Sequence, residues 1–243
     1  MAFFETADKI LYFLDEGILS RVSGTGGIPA MLLFAGVIFL IFFSYLLGSV
    51  NFAIIISNNK FKDDIRTHGS KNAGTTNMMR TYGKKAAVLT LLGDMAKGVL
   101  ACLAGRILLG VFGCYLAGLF CIVGHIFPVF YRFRGGKGVA TTAGVILVGS
   151  PLVFLIMLVI FFIIAFSTKY ISLASVMGML LYPIVLYNIE KALAHGLPFP
   201  WAWITIIYSA LVIFMHRENI KRLREGKENK FSFKKSEKNS EKK

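Results

Sequence analysis

An all-α, polytopic membrane protein is the fold the sequence predicts, on three observations. Of its 243 residues, 56% are hydrophobic and the mean hydropathy is +0.66, more apolar surface than one soluble core of this size would bury. Several apolar runs reach the roughly 20 residues with which a helix crosses about 30 Å of hydrocarbon. Polar and basic residues, finally, are gathered into a few segments between those runs.

In chain order, residues 1–28 mix Glu5, Asp8, Asp15 and Glu16 with apolar residues. They lack the basic start and pure apolar stretch of a cleavable signal and read as an amphipathic surface extension. Residues 29–224 form the membrane domain, with helical spans expected at 31–56, 86–105, 107–123, 139–149, 151–167, 171–188 and 200–215. Gly149-Ser150-Pro151 divides a run too long for one upright helix. Asp94 and Lys97 fall inside the second span, where an isolated charge is costly, and read as a structural ion pair. Gly110, Cys114 and Gly118 recur every four residues, a spacing that lets helices approach closely. Cys102, Cys114 and Cys121 lie in apolar runs without CxxC spacing or a His partner and read as packing residues, so no metal site is expected. Residues 225–243 read as a basic, solvated, partly disordered tail near anionic headgroups.

Charge orients the bundle. With seven spans, the segments 57–85, 124–138, 168–170 and 216–243 fall on one side and carry 7, 3, 1 and 11 of the 27 Lys and Arg residues. Positive loops stay in the cytoplasm, which puts the N-terminus outside and the C-terminus inside. A net charge of +14 would also suit nucleic acid, but no basic helix carries interleaved aromatics or a binding motif, and none is expected.

Three of the cytoplasmic segments carry unusual polar residues. In "GSKNAGTTN", Gly69 to Asn77, glycines let backbone N–H groups converge, Ser70, Asn72, Thr75, Thr76 and Asn77 add neutral donors, and Arg80 adds a charge. The loop is either an anion cradle or a chain-reversing turn. It is not a nucleotide P-loop, because Thr75 stands where Lys would follow the second glycine. In "FRGGKGVATTAG", Gly135, Gly136 and Gly138 surround Lys137 just before a helix start, a place where anions bind. A helix-start turn with snorkelling bases explains Arg132 and Arg134 but leaves the three glycines around one Lys unexplained. In "HRENI", His216 and Asn219 share a helical face and either orient a polar ligand or cap the bundle. Ser172 and Ser175 stand in the same relation at the start of the sixth span, where a serine usually bonds its own backbone.

Taken in order, "GSVNFA" (48–53), "DIRTHGSKNAGTTNMMRTYGKKAA" (64–87), "LGDMAKG" (92–98), "GHIFPVFYRFRGGKGVATTAGV" (124–145), "SLAS" (172–175) and "HRENIKRL" (216–223) resemble the bacterial acyl-phosphate-dependent glycerol-3-phosphate acyltransferase family, PlsY. The resemblance spans about Leu47 to Arg224. It implies a seven-helix enzyme of the bacterial cytoplasmic (inner) membrane, its active site facing the cytoplasm. That enzyme moves a fatty acyl group from acyl phosphate to the 1-hydroxyl of glycerol 3-phosphate, giving lysophosphatidic acid without a cofactor. By position, Ser70, Asn72, His216 and Asn219 are the expected catalytic residues. Gly69, Gly74, Thr75, Arg80, Gly135, Gly136, Lys137, Gly138, Ser172 and Ser175 are expected to bind substrate phosphate. Asn51, Lys71 and Thr75 depart from the Pro, Gly and Ala common in the family; Lys71 either stiffens the cradle or adds a phosphate contact.

The chemistry suits these residues. Acyl phosphate is an activated mixed anhydride, so no covalent nucleophile or metal is required. Donors near Ser70 and Asn72 would hold it and stabilise the oxyanion, while Lys137, Arg80, His216 and Asn219 would position the acceptor. The HxxxxD motif common among coenzyme A-dependent acyltransferases is absent: Ala73, Phe130, Pro200 and Lys221 stand five residues after the four histidines. The alternative is a phosphate or organic-anion transporter, against which the motifs cluster at one face without internal repetition.

Overall fold

The computed structural model describes residues 17–19, 30–193 and 200–231. The expected N-terminal extension, apart from 17–19, and residues 232–243 of the expected tail lie outside the described residues. The described residues are helical throughout, with short loops.

Helix α1, Ala30–Ser49, ends inside the first expected span, and α2, Phe52–Ile56, restarts at once and runs into a π-helical turn, Ser57–Phe61. Polar side chains accommodate this break. Asn51 caps α2, its Oδ1 accepting the Ile54 N–H at 3.1 Å. The carbonyls of Gly48 and Val50 accept from Lys97 Nζ at 2.9 and 2.6 Å. Asp94 Oδ1 lies 3.0 Å from the same ammonium, with both side chains 1% exposed, and His125 Nδ1 is 2.9 Å away. The expected Asp94–Lys97 pair therefore forms, and its ammonium satisfies two carbonyls at the break between α1 and α2.

After a 3-10 turn at Ile65–Thr67 comes α3, Thr75–Tyr82, and then α4, Lys84–Ile126. α4 is interrupted at Leu109 and Gly110, the latter at φ 64° and ψ −149°. Its two legs double back, so that Gly105 faces Gly113 and the Cys102 Sγ–H reaches the Cys114 carbonyl at 3.3 Å. Gly110, expected to serve helix approach, makes this turn in the left-handed region that favours glycine, and Gly17 packs against its backbone. Gly118 does pack closely, against Val145 and Tyr208.

Helix α5, Val139–Gly149, and α6, Pro151–Thr168, join at Ser150, with Pro151 in the first turn where its missing N–H costs nothing. α7, Ile171–Ala192, α8, Pro200–Met215, and α9, Arg217–Arg224, follow. Every expected interval contains helix. α5 is short, however: its 11 residues rise roughly 16 Å, about half the hydrocarbon thickness.

Small residues set the packing. Gly48 and Gly124 bring α1 against the second leg of α4, and Gly98 and Gly144 bring α5 against the first. Four helical runs among the described residues are long and apolar enough to cross a membrane. Phe34, Phe39, Ile163, Phe166 and Phe214 are more than half exposed on the outer faces of α1, α6 and α8. Such a surface suits lipid as its solvent, and the chain is a membrane protein.

Candidate active site

One cavity of ≈ 560 Å³ draws on the loop before α3, the start of α5, α6, α7, α9 and the residues after it. Its lining combines two kinds of chemistry. Ser70, Asn72, Arg80, Lys137, His216 and Asn219 are among its polar lining, with Asp94, His125 and Glu228, while Leu91, Ile146, Phe154, Met157, Phe161 and Met179 are among its apolar lining. The serial distance between these segments is closed by helix packing alone.

The first loop owes its shape to Asn77. Its Oδ1 accepts the Ser70 N–H at 3.0 Å, and its Nδ2 donates to the carbonyls of Ile65 and His68 at 3.1 and 3.0 Å. Gly69, at φ 55°, has a Cα close to Asn77 Oδ1, which leaves no room for a side chain there. The Lys71 and Gly74 N–H groups bond the carbonyls of His68 and Asn72 at 2.9 and 3.0 Å. Three N–H groups of the expected cradle are thus spent on the loop itself, leaving Asn72, the start of α3 and the hydroxyls to face the cavity. Lys71 takes a left-handed φ of 58°, a strained conformation for a residue with a Cβ, and does not line the cavity.

Arg66 fastens this loop to the second. Its guanidinium holds Asp64 through Nε at 3.0 and 3.1 Å and through a terminal nitrogen at 2.8 Å, and the other terminal nitrogen donates to the carbonyls of Tyr131 and Arg134 at 2.9 and 3.3 Å. Only a fork of this geometry reaches all four acceptors. Arg66→Ala is therefore expected to weaken binding of inorganic phosphate roughly tenfold in calorimetric titration, and Arg66→Lys to recover little of it.

In the second loop, Gly135 and Gly136 donate to the carbonyls of Ile126 and His125, both at 3.1 Å. Neither lines the cavity, nor does Gly69. Gly136 packs against the His125 ring and the Ala73 carbonyl, so the two glycines join the loop to the end of α4 and to the first motif. Gly138 and Lys137 do line the cavity. Burial, with Arg222 adding repulsion, pushes the Lys137 ammonium down to about 8.

The third motif is bound to the second. Lys137 Nζ donates to Asn219 Oδ1, and Asn219 Nδ2 donates to Glu228 Oε1 at 2.8 Å. Ser172 Oγ donates to the same oxygen at 2.9 Å, and Arg222 Nε to Oε2 at 2.7 Å. Glu228 lies inside what the sequence reads as tail, yet its side chain is 4% exposed. The Phe231 N–H, bonded to the Lys169 carbonyl at 2.7 Å, holds the segment in place. Burial alone would raise the Glu228 carboxyl, but the bonds from Asn219, Arg222 and Ser172 outweigh it and hold it below the usual carboxylate range. Only its place after a Gly, in a lysine-rich run, marks Glu228 in the sequence, and that signal is weak. Ser175, by contrast, returns its hydroxyl to the Ile171 carbonyl at 2.9 Å, although it lines the cavity too.

His216 is 3% exposed and lies 2.7 Å from the Val212 carbonyl through Nδ1. A carbonyl only accepts, so Nδ1 carries the proton and Nε2 is left as an acceptor. Burial, with Lys137 adding repulsion, pushes the imidazole down to about 4, which keeps it neutral at physiological pH.

The comparisons agree on one family. A family model described as glycerol-3-phosphate acyltransferase matches residues 38–226. A glycerol-3-phosphate acyltransferase of Finegoldia magna is 44% identical over 187 residues, covering 76% of this chain and 91% of the relative. One from Neisseria meningitidis is 44% identical over 192 residues, covering 77% and 93%. Two crystal structures of PlsY (YgiH), an integral membrane glycerol 3-phosphate acyltransferase, are 37% identical and cover 81% of this chain and 96% of theirs. Their TM-scores are 0.71 for the glycerol 3-phosphate form and 0.72 for the lysophosphatidic acid form. With that match spanning the polar loops and the helices that join them, the chain belongs to the glycerol-3-phosphate acyltransferase family.

Proposed function

We propose that this protein transfers a fatty acyl group from acyl phosphate to the 1-hydroxyl of glycerol 3-phosphate, as the first step of phospholipid synthesis. The observation that carries the reading is one cavity lined both by bases, amides and other polar groups, of which Lys137, Asn219, Glu228 and Ser172 are bonded into a cluster, and by many aliphatic and aromatic side chains. A phosphate on the polar groups places an acyl chain among the apolar side chains, and a second phosphate finds Arg80 and Lys137 in the same lining. Family membership favours this over an anion carrier.

The acceptor's hydroxyl oxygen attacks the acyl carbonyl carbon and forms the new ester C–O bond. The bond from that carbon to the phosphate oxygen then breaks, and phosphate leaves with the electron pair. In our reading, Ser70 and Asn72 hold the acyl phosphate, and Lys137, Arg80, His216 and Asn219 hold the acceptor so that the two meet. The hydroxyl proton goes to a phosphate oxygen, whose second ionisation lies at about 6. An imidazole pushed down to about 4 is the weaker base at neutral pH, which leaves His216 Nε2 to accept the acceptor's hydrogen bond.

His216→Ala is accordingly expected to lower kcat/KM roughly tenfold to a hundredfold, with much of the rate regained at saturating glycerol 3-phosphate. A kcat loss that no acceptor concentration relieves would instead make His216 the base. The functional reading itself is tested with purified protein in detergent. Acyl phosphate, and not acyl coenzyme A, should yield lysophosphatidic acid; product from the thioester alone would overturn it.

The topology follows the same reading: seven crossings in the bacterial cytoplasmic membrane, N-terminus outside and C-terminus inside. It rests on the basic residues in the segments that carry the motifs. The acceptor would then enter from the cytoplasm and the acyl chain from the lipid.

A further inference from the structure

Helix α5 turns Val139, Thr142, Ala143 and Ile146 to the cavity. Along the chain Thr142 lies between the basic Lys137 and the apolar Ile146, both also in the lining, and it is 1% exposed. Its backbone N–H bonds the Gly138 carbonyl at 2.8 Å. Its hydroxyl is buried and has no hydrogen-bond partner among the described residues.

A helical hydroxyl often bonds a carbonyl one turn back. Thr90 and Ser175 do so here, to Ala86 and Ile171, both at 2.9 Å. Ser44, Thr141 and Ser209 are, like Thr142, buried without a partner among the described residues, but they do not line the cavity. A buried hydroxyl left unpaired is a net cost to the fold. Thr142 bears that cost while lining the cavity, and Thr75, also in the lining, brings a second buried and unpartnered hydroxyl.

We propose that Thr142 is a substrate-contacting residue, its hydroxyl donating to the acyl carbonyl oxygen of the bound donor. This rests on the acyl phosphate reading above. With the donor's phosphate on the bases and its chain among the apolar side chains, the carbonyl lies between the two, as Thr142 lies between Lys137 and Ile146 along α5, and its oxygen is the stronger acceptor there. The bond strengthens as that oxygen gains negative charge during attack, so it acts on kcat. No covalent bond to Thr142 forms or breaks.

The test uses Thr142→Val, which keeps the shape and removes the hydroxyl, and Thr142→Ser, which keeps the hydroxyl. Both are assayed for kcat, KM and melting temperature in detergent. Thr142→Val is expected to lose roughly tenfold to a hundredfold in kcat with a melting temperature equal to or above that of the parent. Thr142→Ser is expected to stay within about threefold. Parent-like kcat in Thr142→Val overturns the proposal, as does a loss of rate that tracks a lowered melting temperature in both variants. If the unaltered protein turns over no acyl phosphate, the donor reading fails, and this inference fails with it. That outcome is distinct from an active parent with an equally active Thr142→Val.

Discussion

Lys137→Met is expected to reduce kcat/KM for glycerol 3-phosphate by roughly 10²–10³, because it removes the cation that faces the cavity from the second loop. Loss of the side chain also releases Asn219, whose Oδ1 accepts from Lys137 Nζ. The parent protein should reveal the same group through pH. With the Lys137 ammonium pushed down to about 8, kcat/KM, which reports the free enzyme, should fall along an alkaline limb centred near that value. The limb in kcat should lie higher, since a bound phosphate favours the ammonium. Stability of the unliganded protein should move the opposite way. Below about 8 the group is charged in both folded and unfolded chains, and the cost of burying it is fully present. Between there and its ordinary value of 10.5 only the unfolded chain holds the proton, so stability rises with pH. Lys137→Arg, which stays charged throughout, should abolish the limb. A limb unchanged in Lys137→Arg would assign it to another group.

Glu228→Ala should be nearly as damaging, by a different route. The carboxylate gathers Ser172, Asn219 and Arg222, and without it Arg222 loses its partner while still lying near Lys137. We expect a loss of roughly 2–4 kcal/mol in stability, towards the lower figure because the Arg222 side chain is 34% exposed and can rehydrate. Activity should fall at least tenfold at temperatures where the variant remains folded. Glu228→Gln keeps the shape but sets an amide donor against one or two donors, depending on which oxygen it replaces, and should fall between Ala and the parent. Because Glu228 helps to keep Lys137 protonated, both variants should move the alkaline limb below about 8. The sign for Glu228 itself is that of a depressed carboxylate. Its contribution is present above its ordinary value of 4.5 and is lost as pH falls through its lower folded value. Thermal melts between pH 3 and 7 would check this.

Much of the fold was legible in the chain because the signals for it are short-range. Apolar runs long enough for lipid mark the helices, and Gly149-Ser150-Pro151 marks the α5–α6 junction within a residue. The break after α1 was not legible, because what permits it is Lys97, 47 residues from the Val50 carbonyl it bonds. The reversal in α4 was expected near 106 and falls at Leu109–Gly110; in a run apolar on both sides of the turn, hydropathy does not locate the glycine that turns it.

For the site, composition picked out the loops but not the occupation of their atoms. Eleven of the fourteen expected residues line one cavity, whereas Gly69, Gly135 and Gly136 support it from behind. The sequence by itself determined the helical membrane character, the order of the motifs and the kinds of group available to bind anions, since these depend on local hydropathy and residue chemistry. Tertiary structure alone decided which of those groups remain unpaired. Glu228 is 56 residues from Ser172 and Lys137 is 82 from Asn219. Helix packing brings such atoms to within a hydrogen bond, and a polar group buried in a membrane protein takes its function from whichever partner the packing supplies or withholds.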